Sequence, residues 1–187
     1  MTPVAISRPR SAAAVAAAGC TLLALRPLLL RDGWHPTAVL VALFAALLVA
    51  GRGWPRAETT RPGAASVPVL AAVAAGLVAF GLGRLAGGGQ PPQPLALRVV
   101  ALGTLAAVAE EAFFRRLVYD ALHANGTVVA VLGSAVLFAV VHVSVYGFWV
   151  LPIDLAAGLV LSWQRWATGS WAVPAVTHVV ANLLVVI

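Results

Sequence analysis

Charge is what this sequence lacks. Of 187 residues only 10% are charged, against roughly 25% in an ordinary soluble domain, while 61% are hydrophobic. A water-soluble globular domain is excluded, because there is too little polar surface to face water. The same hydrophobicity excludes a disordered chain. Lysine is absent: all 12 basic residues are arginine, set against 6 acids for a formal net charge of +6. In a soluble protein that excess would suggest nucleic acid. Here the arginines flank apolar runs, where they anchor a membrane protein and set its topology, so no nucleic-acid partner is expected. A single cysteine, Cys20, excludes an internal disulfide and any multi-cysteine metal site. Alternating ten-residue segments are missing as well, which argues against a β-barrel.

What is present is a series of long Ala/Leu/Val runs. A helical span needs about 20 apolar residues, with a range of roughly 17–25. Candidate spans cover 11–30, 34–51, 66–85, 95–122, 127–143, 149–166 and 171–187. The expected fold is all-α, a polytopic transmembrane bundle of about seven spans with membrane lipid as its surroundings. Arg26-Pro27 predicts a kink or an interfacial end within the first run. Ala17-Ala18-Gly19-Cys20 faintly resembles a lipoprotein cleavage site, but the large residue three before the cysteine is missing and the apolar run continues past it. Two polar stretches interrupt the runs: 52–63, with Arg52, Arg56, Glu58 and Arg61, and the breaker Gly87-Gly88-Gly89-Gln90-Pro91-Pro92-Gln93-Pro94. Thr168-Gly169-Ser170 punctuates the last two runs.

The positive-inside rule orients the spans in the cell membrane with a cytoplasmic N-terminus. Arg8, Arg10, Arg52, Arg56, Arg61 and Arg165 then fall inside, and Arg115 and Arg116 toward the inner half. Arg31, Arg84 and Arg98 fall outside. The expected division is 1–95, holding spans one to three with their loops, and 96–187, holding spans four to seven and the chemistry.

An ionisable side chain inside a span costs several kcal/mol by most estimates, so it needs a reason. Four of the six acids, Glu110, Glu111, Asp120 and Asp154, lie in or beside apolar stretches. The fourth span reads Glu110-Glu111-Ala112-Phe113-Phe114-Arg115-Arg116. At about 100° per residue, Arg115 sits one turn along from Glu111 on nearly the same face, so the two can pair. Glu110 points about 100° away and is left freer. A structural Glu–Arg bridge accounts for Glu111 and Arg115 but not for Glu110. Phe138 and His142 share a face of the fifth span, and His178 and Asn182 share a face of the seventh. Interhelical hydrogen bonding would explain each histidine singly. Together, three helices bring carboxylate, imidazole, and imidazole plus amide, the groups that activate water as general bases or as metal ligands. No His-Glu-x-x-His and no Gly-x-Ser-x-Gly is present. Counting about 1.5 Å per residue puts Glu110 and His178 at similar depth, roughly 12–15 Å from the inner surface, and His142 nearer 24 Å, toward the outer end of its span. Asp154, near Pro152, is expected either at the outer interface or against the site.

Glu-Glu-x-x-x-Arg, then Phe-x-x-x-His, then His-x-x-x-Asn, on successive apolar helices, resembles the CAAX protease and bacteriocin-processing (CPBP, or Abi) family of intramembrane proteases. Residues 133–142 are similar to the family's second motif, and 168–178 to the approach to its last. The likeness covers about 100–187; the first half matches only as a set of apolar spans. It implies an endopeptidase acting within the membrane on peptide or membrane-protein substrates. Carried over by position, Glu110 would polarise or deprotonate a water, and His142 and His178 would hold that water or stabilise charge. Asn182 would donate to the oxyanion, with Glu111 and Arg115 as the supporting pair. No cofactor is favoured; the residues also permit zinc held by Glu110, His142 and His178. Two other classes fit the same composition: a non-catalytic immunity or binding protein of the family, and a small transporter that uses the polar cluster as a pathway.

Overall fold

The computed structural model describes residues 9–31, 35–53, 67–86 and 96–186. Arg8, Trp34, Arg56, Glu58, Arg61 and the Gly-Pro breaker at 87–94 lie outside the described residues. The chain folds as α1 (Pro9–Ala24), α2 (Arg26–Leu29), α3 (Pro36–Gly53), α4 (Val69–Ala86) and α5 (Leu97–Ala112), then a π-helical turn (Phe113–Val118) leading into α6 (Tyr119–His123). It continues as α7 (Thr127–Tyr146), a 3-10 turn (Phe148–Val150), α8 (Leu151–Thr168) and α9 (Ala172–Val186). There is no strand among the described residues, and the fold is all-α.

The helices follow the apolar runs because a backbone away from water must satisfy its own hydrogen bonds. The first run is broken after Ala24, and the chain restarts as α2 with a proline in its first turn, where the missing N–H is tolerated. α3 and α7 are long and apolar enough to cross a membrane; 11–24, 69–85 and 172–184 are shorter apolar helices.

α7 packs most extensively on α8, and α5 lies between α9 and α3. The core is aromatic and aliphatic, with Phe113, Phe114, Leu117 and Phe138 packed against Leu43, Phe44 and Leu47 of α3. The distribution of polarity inverts that of a soluble protein. Leu70, Leu85 and Leu97 on the outside are each about 80% exposed (84%, 79% and 84%), whereas Glu110, Glu111, Arg115, Asp120, Gln164 and Arg165 are buried. Polar pins join the helices: Gln164 Nε2 donates to the Ala72 carbonyl and to Thr177 Oγ1, both at 2.8 Å, and the Ser134 and Ser162 hydroxyls meet at 2.9 Å.

Close backbone approach sets the position of α5. A Cβ at Gly51 of α3 would overlap the Ala112 carbonyl and lie 2.9 Å from the Phe113 nitrogen. Gly51→Ala is therefore expected to push α3 off α5 where the polar residues begin. The cost is about 1–3 kcal/mol, read as a lower unfolding midpoint in detergent, with Gly53→Ala, which meets nothing within 4 Å, as the control.

Candidate active site

The end of α5 presents Glu110 and Glu111 into the bundle, and the two carboxylates have different surroundings. Glu111 is fully buried; its Oε1 accepts from His178 Nδ1 at 2.9 Å, and its Oε2 faces Arg115 Nε at 3.4 Å. Arg115 is equally buried, lies over the Phe138 ring at 4.8 Å, and directs Nη2 to the Gly158 carbonyl at 3.4 Å. The i, i+4 spacing thus produces the expected pair, and α9 and α8 complete it. Glu111 is shared between a cation and an imidazole, and that sharing fixes where His178 sits.

Glu110 is set apart from this pair. Its Oε2 lies 3.9 Å from His142 Nε2. The other ring nitrogen of His142, Nδ1, donates to the Phe138 carbonyl at 2.7 Å, since a carbonyl oxygen can only accept. Phe138 also packs against the ring at a tilt of 50°, with centroids 4.6 Å apart, and meets the His178 ring edge-on with centroids 5.9 Å apart. One phenylalanine therefore packs against both histidines and the Arg115 guanidinium.

Depth counting separates His142 from Glu110, and the structure joins them. Side chains on a helix lean toward its N-terminus. Glu110 leans back along α5 and His142 leans back along α7, the next long helix, in a return that begins at Thr127 after a short connection. On two helices running in opposite directions those leanings converge, so equal backbone depth is not required.

Asp154, in the first turn of α8, reaches the site: its Oδ2 lies 3.8 Å from His142 Nδ1. His142 is thereby flanked by a carboxylate on each nitrogen. Asn182 is placed elsewhere. Its Nδ2 donates to the Gly103 carbonyl of α5 at 3.3 Å, about two turns before Glu110, so it ties α9 to α5. The geometry thus brings together Glu110, Glu111, Arg115, His142 and His178, adds Asp154, and leaves the Asn182 amide on a backbone carbonyl.

Two further residues were not among those singled out for chemistry. Arg165, counted with the arginines that orient the spans, is buried: Nε donates to the Arg115 carbonyl and Nη2 to Asp120 Oδ1, both at 2.9 Å. The only sequence signal for the pair is opposite charge within apolar runs, 45 residues apart.

A metal ion requires several donor atoms converging at about 2.0–2.6 Å from one point. Among the described residues no group of three His, Cys, Asp or Glu side chains is so placed. In both histidines Nδ1 is engaged, by Glu111 and by the Phe138 carbonyl, which orients the ring and leaves Nε2 as the nitrogen facing the site. As placed here, Glu110, His142 and His178 do not converge on one point as a zinc site requires.

Fold and site define a helical-bundle protein, apolar outside, with a buried carboxylate–imidazole centre. Residues 92–184 match a family model described as type II CAAX prenyl endopeptidase Rce1-like. By that match the C-terminal half of the chain belongs to the Rce1-like family, of the CPBP/Abi group, whose members are membrane-embedded. Neither a curated protein nor a solved structure matches the chain.

Proposed function

We propose that the chain is a multi-pass intramembrane endopeptidase of the CAAX-protease type, with its N-terminus in the cytoplasm. It would hydrolyse peptide bonds of membrane-associated proteins or peptides with a water activated by Glu110 and His142. One observation carries this reading. His142 commits an Nδ1 proton to the Phe138 carbonyl and turns Nε2 toward the Glu110 carboxylate, and in the neutral ring that nitrogen carries a lone pair. Two acceptors 3.9 Å apart are too far for a hydrogen bond and have no proton between them. A water with two O–H donors, about 2.8 Å from each, satisfies both.

Hydrolysis follows from that placement. Glu110 takes one proton as the water oxygen attacks the scissile carbonyl carbon, giving a tetrahedral oxyanion. Collapse breaks the C–N bond, and the leaving nitrogen takes the proton from Glu110. The products are a new carboxyl group and an amine, and Glu110 is again a carboxylate. His142 orients the water, and His178, held at Nδ1 by Glu111, stabilises charge from α9. Asn182 serves the oxyanion only by exchanging the Gly103 carbonyl for it.

The deciding experiment compares cellular peptide termini in strains carrying the wild-type chain and Glu110→Ala. A set of termini present with the wild type and missing with the variant is expected. Identical termini would overturn the peptidase reading. Protection of the cell retained by Glu110→Ala would favour an immunity protein, and ion flux in liposomes lost with Glu110 a transporter.

A further inference from the structure

A single buried guanidinium holds the segment that connects Glu110 and Glu111 to the rest of the bundle. The π-helical turn begins two residues after Glu111. Such turns are rare and occur mostly as single insertions in α-helices. In an uninterrupted α-helix the nine residues from Glu111 to Asp120 rotate by about 900°, which puts the two carboxylates on opposite faces. One residue's worth of inserted turn removes roughly 100° and brings Asp120 round toward the side on which Glu111 meets α8 and α9. Asp120 then reaches Arg165 of α8 at 2.9 Å. Arg165 Nε donates to the Arg115 carbonyl at 2.9 Å, and its guanidinium lies 5.0 Å from the Tyr119 ring centroid. Arg115 in turn reaches back to the Gly158 carbonyl of the same α8. The bundle therefore grips the π turn at backbone and side chain from one helix, and Arg115 transmits that grip to Glu111 and His178.

We propose that Arg165, seated on Asp120, is a positioning residue. It holds the π turn in register, so that Arg115 keeps Glu111 on His178 and leaves Glu110 free to face His142. Arg165 touches none of these carboxylates or imidazoles and acts through the Arg115 backbone. The activity arm of the test rests on the peptidase reading; the spectroscopic arm does not.

Arg165→Met alone buries an unpartnered Asp120 and invites misfolding. The informative variant is the double replacement Asp120→Leu/Arg165→Met. An apolar pair in place of a buried ion pair is often neutral or stabilising, so this variant is expected to fold while lacking the clamp. The full chain in lipid nanodiscs, labelled with 15N at its 4 histidines, reports His178 directly. The Nδ1 resonance that marks its bond to Glu111 is expected to shift in the double variant, though Arg165 makes no contact with that ring. With a farnesylated fluorogenic peptide ending in a CaaX sequence as probe, kcat is expected to fall on the order of tenfold to a hundredfold. KM is expected to stay within about twofold. A folded double variant with an unshifted His178 resonance overturns the proposal, as does one with wild-type kcat. If the wild type leaves the probe intact, the peptidase reading loses support on that probe, and the His178 resonance alone decides the clamp.

Discussion

Glu110→Gln is expected to lower peptide hydrolysis by about 10²–10⁴-fold while the protein keeps its fold. The contrast between its two consequences is the point. Glutamine has the same shape and still accepts a hydrogen bond from water, but it cannot hold the proton that the attacking water must lose. Among the described residues Glu110 forms no pair with arginine; its nearest titratable neighbour is the His142 ring at 3.9 Å, taken as neutral. Removing its charge therefore leaves no buried cation without a counter-ion, and the unfolding midpoint in detergent should stay near that of the wild type. A loss of kcat with an unchanged midpoint supports the general base. Retained hydrolysis in Glu110→Gln would remove it.

Arg115→Met is expected to do the reverse, acting on stability first. Arg115 and Glu111 are both fully excluded from solvent. Breaking a buried pair from one side typically costs about 3–5 kcal/mol, because the remaining charge has neither water nor a partner. Methionine keeps the apolar stem packed over Phe138, so the cost isolates the guanidinium. Glu111 retains His178 as its one close partner, and His178 loses its fixed orientation once Glu111 is free to move. Activity falls with stability in this variant. The check is equilibrium unfolding of Arg115→Met, of Glu111→Gln and of the double variant. A double variant less destabilised than the sum of the singles measures the coupling, and strict additivity would show that the pair does not act as one.

These two expectations separate residues that look alike in the sequence. Glu110 and Glu111 are adjacent acids in one apolar run, and spacing alone assigns Arg115 to Glu111. That part is legible because i, i+4 neighbours meet on any α-helix, whatever surrounds it. The freedom of Glu110, its approach to His142, and the capture of His178 by Glu111 are contacts 32 and 67 residues apart in sequence. No periodicity within one helix encodes them.

The same boundary runs through the whole chain. The sequence by itself determined that the protein is helical, that its surface is apolar, where the long runs begin and break, and which few ionised residues needed explaining. Each of these follows from local composition and the hydrogen-bonding demands of a backbone away from water. Only the tertiary structure decided that Asp154 belongs to the site and that the Asn182 amide rests on the α5 backbone. It likewise decided that Arg165 is an internal clamp on Asp120 and not a surface anchor. The π turn explains why counting failed at that last point. Phe113 to Val118 have unexceptional helical side chains, and nothing in them marks an extra residue in the turn. Yet that residue rotates everything after it by about 100° relative to everything before it. Which faces of the helix meet α8 was set by packing, and packing is not a property of any one segment.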